Sequence, residues 1–202
     1  MFEYSFPTIT QYASPDLINA IAYEGRPHHA DPRWAETGAL SLDAYRRWCR
    51  HMCGIACLRM ALLAHTGDAP TMFELLDGAR EYGAYIEDTE GGDIRGLIYA
   101  PFARYVDDVH SLTATVCPAL TIAELFALLD SGQLVMASVH KEIRRPESPA
   151  PGKGGHLVLV TGRDGDTVRF RNPSGHTPRA RTAALPATQF AQFFDNRGIA
   201  LI

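Results

Sequence analysis

The chain has 202 residues, of which 46% are hydrophobic and 21% charged, with a formal net charge of -4. That is enough apolar material for one ordinary domain with a real core. The acidic balance argues against nucleic acid, which selects a basic stripe, and no apolar run is long enough to cross a bilayer.

The first residues, "MFEYSFPTITQY", lack the basic segment and long apolar stretch of a secretory signal. The four cysteines, three of them bunched, make a poor disulfide framework. Both point to the cytoplasm. Residues 1–40 are expected to be an N-terminal elaboration of the same domain, and 41–202 its main body. In the former, "SPDLINAIAYEG" predicts a short helix, with Ser14 as cap, Pro15 in the first turn and Gly25 beyond the end. "DPRWAETGALSLDAYRRW" reads as a turn followed by helix or loop.

From Cys53, "CGIACLRMALLAHTG" predicts a helix that is apolar on most sides, hence central, and closed by Gly67. "TMFELLDGAREYG" predicts a second helix capped by Thr71 with Glu74 three residues on. "GGDIRGLIYAPFARYV" predicts a third, interrupted near Pro101. "LTIAELFALLDSG" is amphipathic and ends at Gly132, and "QLVMASVH" is a strand directly after it. Residues 141–155 read as a Pro/Gly/charged loop. "HLVLVTG", a turn at "RDGD" and "TVRFRN" then form a hairpin. "PATQFAQFFDN" reads as a short helix and "GIALI" as a final strand. Helices first and mostly antiparallel strands afterwards define an α+β layout.

Cys49, Cys53 and Cys57 are spaced four apart. On a continuous helix such residues drift by only about 40° per step, so a metal comb is conceivable. Zinc, however, prefers short knuckles with a second ligand pair, which the sequence lacks. No metal and no cofactor are expected. Cys57 fits core packing. Cys53 differs: it sits where the apolar helix begins, and free amides and the dipole there favour a thiolate. Gly54 after it allows close approach to the backbone.

A thiolate needs a base and a group to orient the base. His156 opens the strand "HLVLVTG" after Gly154 and Gly155, and Asn172 closes the partner strand sixteen residues on. The hairpin brings those two ends together, so Cys53, His156 and Asn172 fit the nucleophile, base and orienter of a papain-type triad. His140, which ends its own strand, is a rival base or cleft residue. Gly54 and Gly155 are further cleft candidates, and His176 is expected to be a loop residue.

"CGIACLRMAL", "LTIAELFALLDSGQLVMASV", "GGHLVLVTG" and "VRFRNPSG", in that order, resemble the bacteriocin-processing (double-glycine leader) peptidase-like family of papain-like cysteine peptidases, over roughly residues 45–202. The resemblance implies a papain-like cysteine peptidase fold, a central nucleophile helix packed on an antiparallel sheet, with Cys53 as nucleophile, His156 as base and acid and Asn172 orienting the ring. This family commonly carries Asp where Asn172 stands. It usually carries an oxyanion-hole Gln six residues before the nucleophile, where this chain has Arg47; Arg47, Trp48, His51 or the Cys53 amide are the candidates to replace it. The expected activity is hydrolysis of a peptide or amide bond through an acyl-enzyme, the partner being a peptide or a small amide or acyl substrate. Acyl transfer to an amine on the same triad, or non-catalytic peptide binding in the same groove, are the alternatives. Full leader peptidases of the family are fused to membrane exporters, for which this chain leaves no room.

Overall fold

The computed structural model describes residues 6–88 and 92–202; the first residue of the helix expected from Gly91 lies outside them. After a 3-10 turn at Pro15–Leu17 come α1 (Ile18–Tyr23), α2 (Leu42–Trp48), α3 (Cys53–Thr66) and α4 (Met72–Glu81). A two-stranded ribbon, β1 (Ile86–Glu87) with β2 (Ile94–Arg95), precedes α5 (Tyr99–His110), β3 (Ala114–Cys117), α6 (Ile122–Asp130) and β4 (Leu134–Val139). The chain ends with β5 (His156–Asp164), β6 (Thr167–Arg171), α7 (Pro178–Arg181), β7 (Thr182–Pro186), α8 (Ala187–Phe193) and β8 (Phe194–Leu201).

Local chemistry sets most of these boundaries. Thr71 and Thr121 each close a capping box, with Glu74 and Glu124 respectively. Gly67, at the C-terminal end of α3, adopts a left-handed conformation that only glycine takes freely. Three expectations need correction. Ser14 does not cap with its side chain: its hydroxyl donates to Asp31 Oδ1 at 2.6 Å. Pro101 does not interrupt α5, because it falls in the first turn, where its missing N–H has no intrahelical partner to lose. The stretch before it, expected to be helical, pairs as β2 instead.

The other six strands form one antiparallel sheet in the order β3-β8-β4-β5-β6-β7. Its central strands are buried on both faces, which is why they read as unbroken apolar runs. Met136, Leu157, Leu159, Ile199 and Leu201 face the core shared with α3, α4 and α5. Val135, Ala137, Val158, Val160 and Ala200 face the opposite core, filled by Leu125 and Leu129 of α6 and by Phe190 and Phe193 of α8. Neighbours in sequence thus serve different cores, as the period-two pleat requires. Helix α3 packs directly on β5, so Ile55, Ala56, Cys57 and Leu58 are fully buried. Cys57, whose Sγ faces the Leu157 carbonyl at 3.7 Å, is core filling.

The N-terminal residues lie against both halves. The Gln11 amide donates to the Pro173 carbonyl at 3.0 Å. Its side-chain Nε2 donates to the carbonyls of Cys49 and Arg50 at 3.1 and 3.2 Å. Among the described residues no helix is long and apolar enough to cross a membrane.

Candidate active site

The packing of α3 on β5 sets the first residue of one beside the first residue of the other: Cys53 and His156 line a single cavity of about 260 Å³. Leu97, Tyr99, Ser138 and Arg197 share it. Gly155 also lines it, whereas Gly54 does not: a Cβ there would stand 2.9 Å from Leu97 Cδ2 and 3.2 Å from Leu157 Cδ1. Gly54 therefore works underneath the site, by letting those two leucines close on the helix.

The turn into β5 also needs glycine. Gly154 has φ +74°, and a Cβ there would lie 2.6 Å from Asp195 Oδ2. Asp195 pairs with Arg197 at 2.7 Å. The loop ahead of His156 is thus held against β8 by a residue the sequence did not mark.

His156 is buried, and its Nε2 lies 2.9 Å from Asn172 Oδ1. Ser174 brings its Oγ to 3.1 Å from the same nitrogen, and its amide donates to Asn172 Oδ1 at 3.0 Å. A turn explains this third residue. The β5-β6 pairing ends at Leu159 with Arg171. Beyond it the chain turns, the Gly175 amide donating to the Asn172 carbonyl at 3.1 Å, and that turn folds Ser174 back onto the Asn172 side chain.

Two donors converging on Asn172 Oδ1 fix which end of the amide faces the histidine, since a flipped Nδ2 would meet the Ser174 N–H. The ring proton then sits on Nε2, and Nδ1 carries the free lone pair. The other end of the amide, Nδ2, is buried without a partner among the described residues.

Electrostatically, burial dominates. It lowers the His156 pKa to about 4, opposed by the Asn172 hydrogen bond and reinforced by the charges of Arg144, His140 and Lys141. Burial also pushes the Cys53 thiol up, against the pull of the amides of Leu157, Gly54 and Cys53 itself. Both groups are therefore neutral at rest near neutral pH. Cys49, buried four residues before Cys53, is pushed up to about 12, chiefly by burial.

The remaining sequence candidates lie elsewhere. Arg47 does not reach the Cys53 cavity: its Nε donates to Glu87 Oε2 at 2.8 Å and its guanidinium bonds the Gly92 carbonyl at 3.3 Å. Trp48 is buried in the core, edge-on to Tyr85. His51 packs against Trp48 and faces the pocket that Arg47 lines. His140 is not among the cavity residues; its Nδ1 accepts from the Glu142 amide at 3.2 Å and starts a 3-10 turn. His176 stacks edge-on to Tyr23. Among the described residues, no group of three His, Cys, Asp or Glu side chains could hold a metal ion.

A helix carrying a cysteine at its start, laid on an antiparallel sheet whose adjoining strand ends carry histidine and asparagine, is the layout of the papain-like cysteine peptidases. The model of the Peptidase_C39 like family matches residues 38–200, and the chain belongs to that family. This agrees with the resemblance to bacteriocin-processing peptidases. The crystal structure of a C39-like peptidase from Bacillus anthracis superposes with a TM-score of 0.55 at 15% identity, over 75% of this chain and 88% of that one. The peptidase domain of Streptococcus ComA, a bi-functional ABC transporter involved in a quorum-sensing pathway, gives a TM-score of 0.47 at 13% identity, over 74% and 90%. No curated protein matches the sequence.

Proposed function

We propose that the chain is a cysteine peptidase that hydrolyses a peptide or amide bond through a Cys53-His156-Asn172 triad. The observation that carries the reading is the state of His156. Its Nε2 is held by Asn172 at 2.9 Å, while the ring lines one cavity with Cys53. Nδ1 is then the acceptor left for the thiol proton.

In that mechanism Nδ1 takes the Cys53 proton as the thiolate attacks the substrate carbonyl. The imidazolium returns the proton to the departing nitrogen as the C–N bond breaks, leaving a thioester. Water, deprotonated by Nδ1, attacks the thioester, the C–S bond breaks, and Cys53 recovers its proton. The Cys53 amide, in the first turn of α3, is the donor proposed for the oxyanion. Residues 6–40 are read as part of the same domain, since Gln11 bridges the Cys49–Arg50 turn and Pro173.

The test is a peptide library incubated with wild type, Cys53→Ala and His156→Asn. Cleavage by wild type alone, with an epoxide inhibitor attached to Cys53, supports the reading. Cleavage that survives Cys53→Ala overturns it. Resolution of the thioester by an added amine but not by water reassigns the chain to acyl transfer.

A further inference from the structure

A second pocket, of about 300 Å³, lies beside the first and is absent from the mechanism above. Its lining includes His28, Asp43, Arg46, Arg47 and His51. Two stretches of chain connect it to the catalytic cavity. His51 lines this pocket and Cys53 the other; Gly92 and Ile94 line this pocket, and Gly96 and Leu97 the other. An extended peptide advances about 3.3 Å per residue, so a substrate bound at Cys53 reaches the second pocket within a few residues.

The pocket's polar groups are unequally engaged. Arg47 is engaged: its Nε donates to one oxygen of Glu87 at 2.8 Å, and the other oxygen of Glu87 takes Arg80 at 2.6 Å. Among the described residues the Arg46 guanidinium has neither a hydrogen bond nor an ion pair, and the His51 ring nitrogens have no hydrogen bond. His28 spends Nε2 on the Arg46 carbonyl at 3.0 Å. The field at the rings is positive: His51 is held down by burial and then by Arg50 and Arg47. His28 is likewise lowered by burial, with Arg50, His29 and Arg46 adding to it against its hydrogen bond to the Arg46 carbonyl. Asp43 is the opposing charge on the lining.

We infer that this pocket is a second subsite of the cleft, taking a carboxylate side chain of the peptide on which Cys53 acts. The inference rests on the peptidase reading. A single carboxylate suits the pocket better than a dianion, because Asp43 lies within it.

The test uses acetylated decapeptide libraries in which one position at a time is fixed as Glu or as Gln, with cleavage read by mass spectrometry. Wild type is expected to favour Glu about tenfold at one position relative to the scissile bond, the scale of one charge-assisted hydrogen bond. Arg46→Gln, an exposed change, should bring that ratio to about twofold or less, while Asp43→Asn should raise it. Equal cleavage of Glu and Gln libraries at every position, or a preference that survives Arg46→Gln, overturns the subsite. If wild type cleaves nothing, the peptidase reading fails by itself. Retention of the same libraries on immobilised Cys53→Ala protein then decides the pocket. Glu enrichment that Arg46→Gln removes supports it, and retention without enrichment overturns it.

Discussion

Ser174 Oγ lies 3.1 Å from His156 Nε2, on the same nitrogen that Asn172 engages at 2.9 Å. The serine holds the asparagine as well, through its amide at 3.0 Å and its hydroxyl at 3.3 Å. The two residues are not equivalent. Ser174→Ala keeps the backbone amide on Asn172 Oδ1, so the ring keeps its tautomer. The expected loss in kcat/KM is about threefold to tenfold, the scale of one neutral hydrogen bond. Asn172→Ala removes the acceptor that sets the tautomer, and about a hundredfold loss is expected, the low end of general acid-base contributions. Steady-state kinetics on both variants check the order. An equal loss in both would make Ser174 a full partner in orienting the ring.

Asn172→Asp probes the same position by charge. Asn172 Nδ2 has no partner among the described residues, and a carboxylate would replace that idle donor with an acceptor. A negative charge beside the imidazole favours the imidazolium, so the His156 pKa moves up from about 4. Because His156 must be neutral to accept the thiol proton, the acid limb of the kcat/KM profile should shift to higher pH. The pH profiles of wild type and variant measure this directly. An unmoved limb would mean that another group controls it.

How much of this the sequence carries follows from the kind of information each feature needs. Helix α3 and the β5-β6 hairpin carry strong local signals, a Gly stop and a turn between β-rich runs, and so the places of Cys53, His156 and Asn172 at the ends of their elements are legible in the sequence. The place of Ser174 is not, because it lies past the end of β6, in a turn whose closure carries it back to Asn172. Leu97 and Tyr99 come from the entry to α5 and Arg197 from β8, two segments distant in sequence that share no spacing pattern with Cys53 or His156. Arg47 illustrates the opposite failure. The family resemblance makes its position that of an oxyanion donor, but its long cationic side chain finds a carboxylate, Glu87, on the β1-β2 ribbon instead.

Burial of His156 also links the site to stability. Unfolded, the imidazole has a pKa near 6.5; folded, about 4. Between those values the unfolded chain binds a proton that the native state does not, so stability falls as the pH drops through that window. The contribution is fully present above about pH 6.5 and lost towards pH 4, amounting to about 3 kcal/mol. Urea unfolding of wild type and His156→Gln from pH 7 to 4 should show a shallower slope in the variant. Parallel slopes would place the protonation in another group.

Gln11 ties the turn ahead of α3 to the N-terminal residues through two hydrogen bonds, to Cys49 and Arg50. Its Oε1 is already buried without a partner among the described residues. Gln11→Leu removes both donors but also that idle acceptor, while the backbone bond to Pro173 stays. A net loss of about 1–2 kcal/mol in unfolding free energy is expected, seen as a lower denaturant midpoint with an unchanged slope. A variant as stable as wild type would mean that the orphaned acceptor offsets the two bonds.

The last prediction concerns the resting state of the nucleophile. Burial raises the Cys53 pKa, with the amides of Leu157, Gly54 and Cys53 opposing it, and burial lowers that of His156. A neutral thiol beside a neutral imidazole is the result, in place of a standing thiolate-imidazolium pair. Alkylation by iodoacetamide reports the thiolate fraction. Its rate at Cys53 should rise about tenfold per pH unit through neutrality and go on rising past pH 8.5, the ordinary thiol range. Cys49 and Cys57, both buried with raised pKa values, should remain unlabelled in the folded protein, which peptide mapping verifies. A rate plateau persisting below about pH 6 would reveal a preformed ion pair, and with it a favourable Cys53-His156 interaction strong enough to outweigh the burial of both groups.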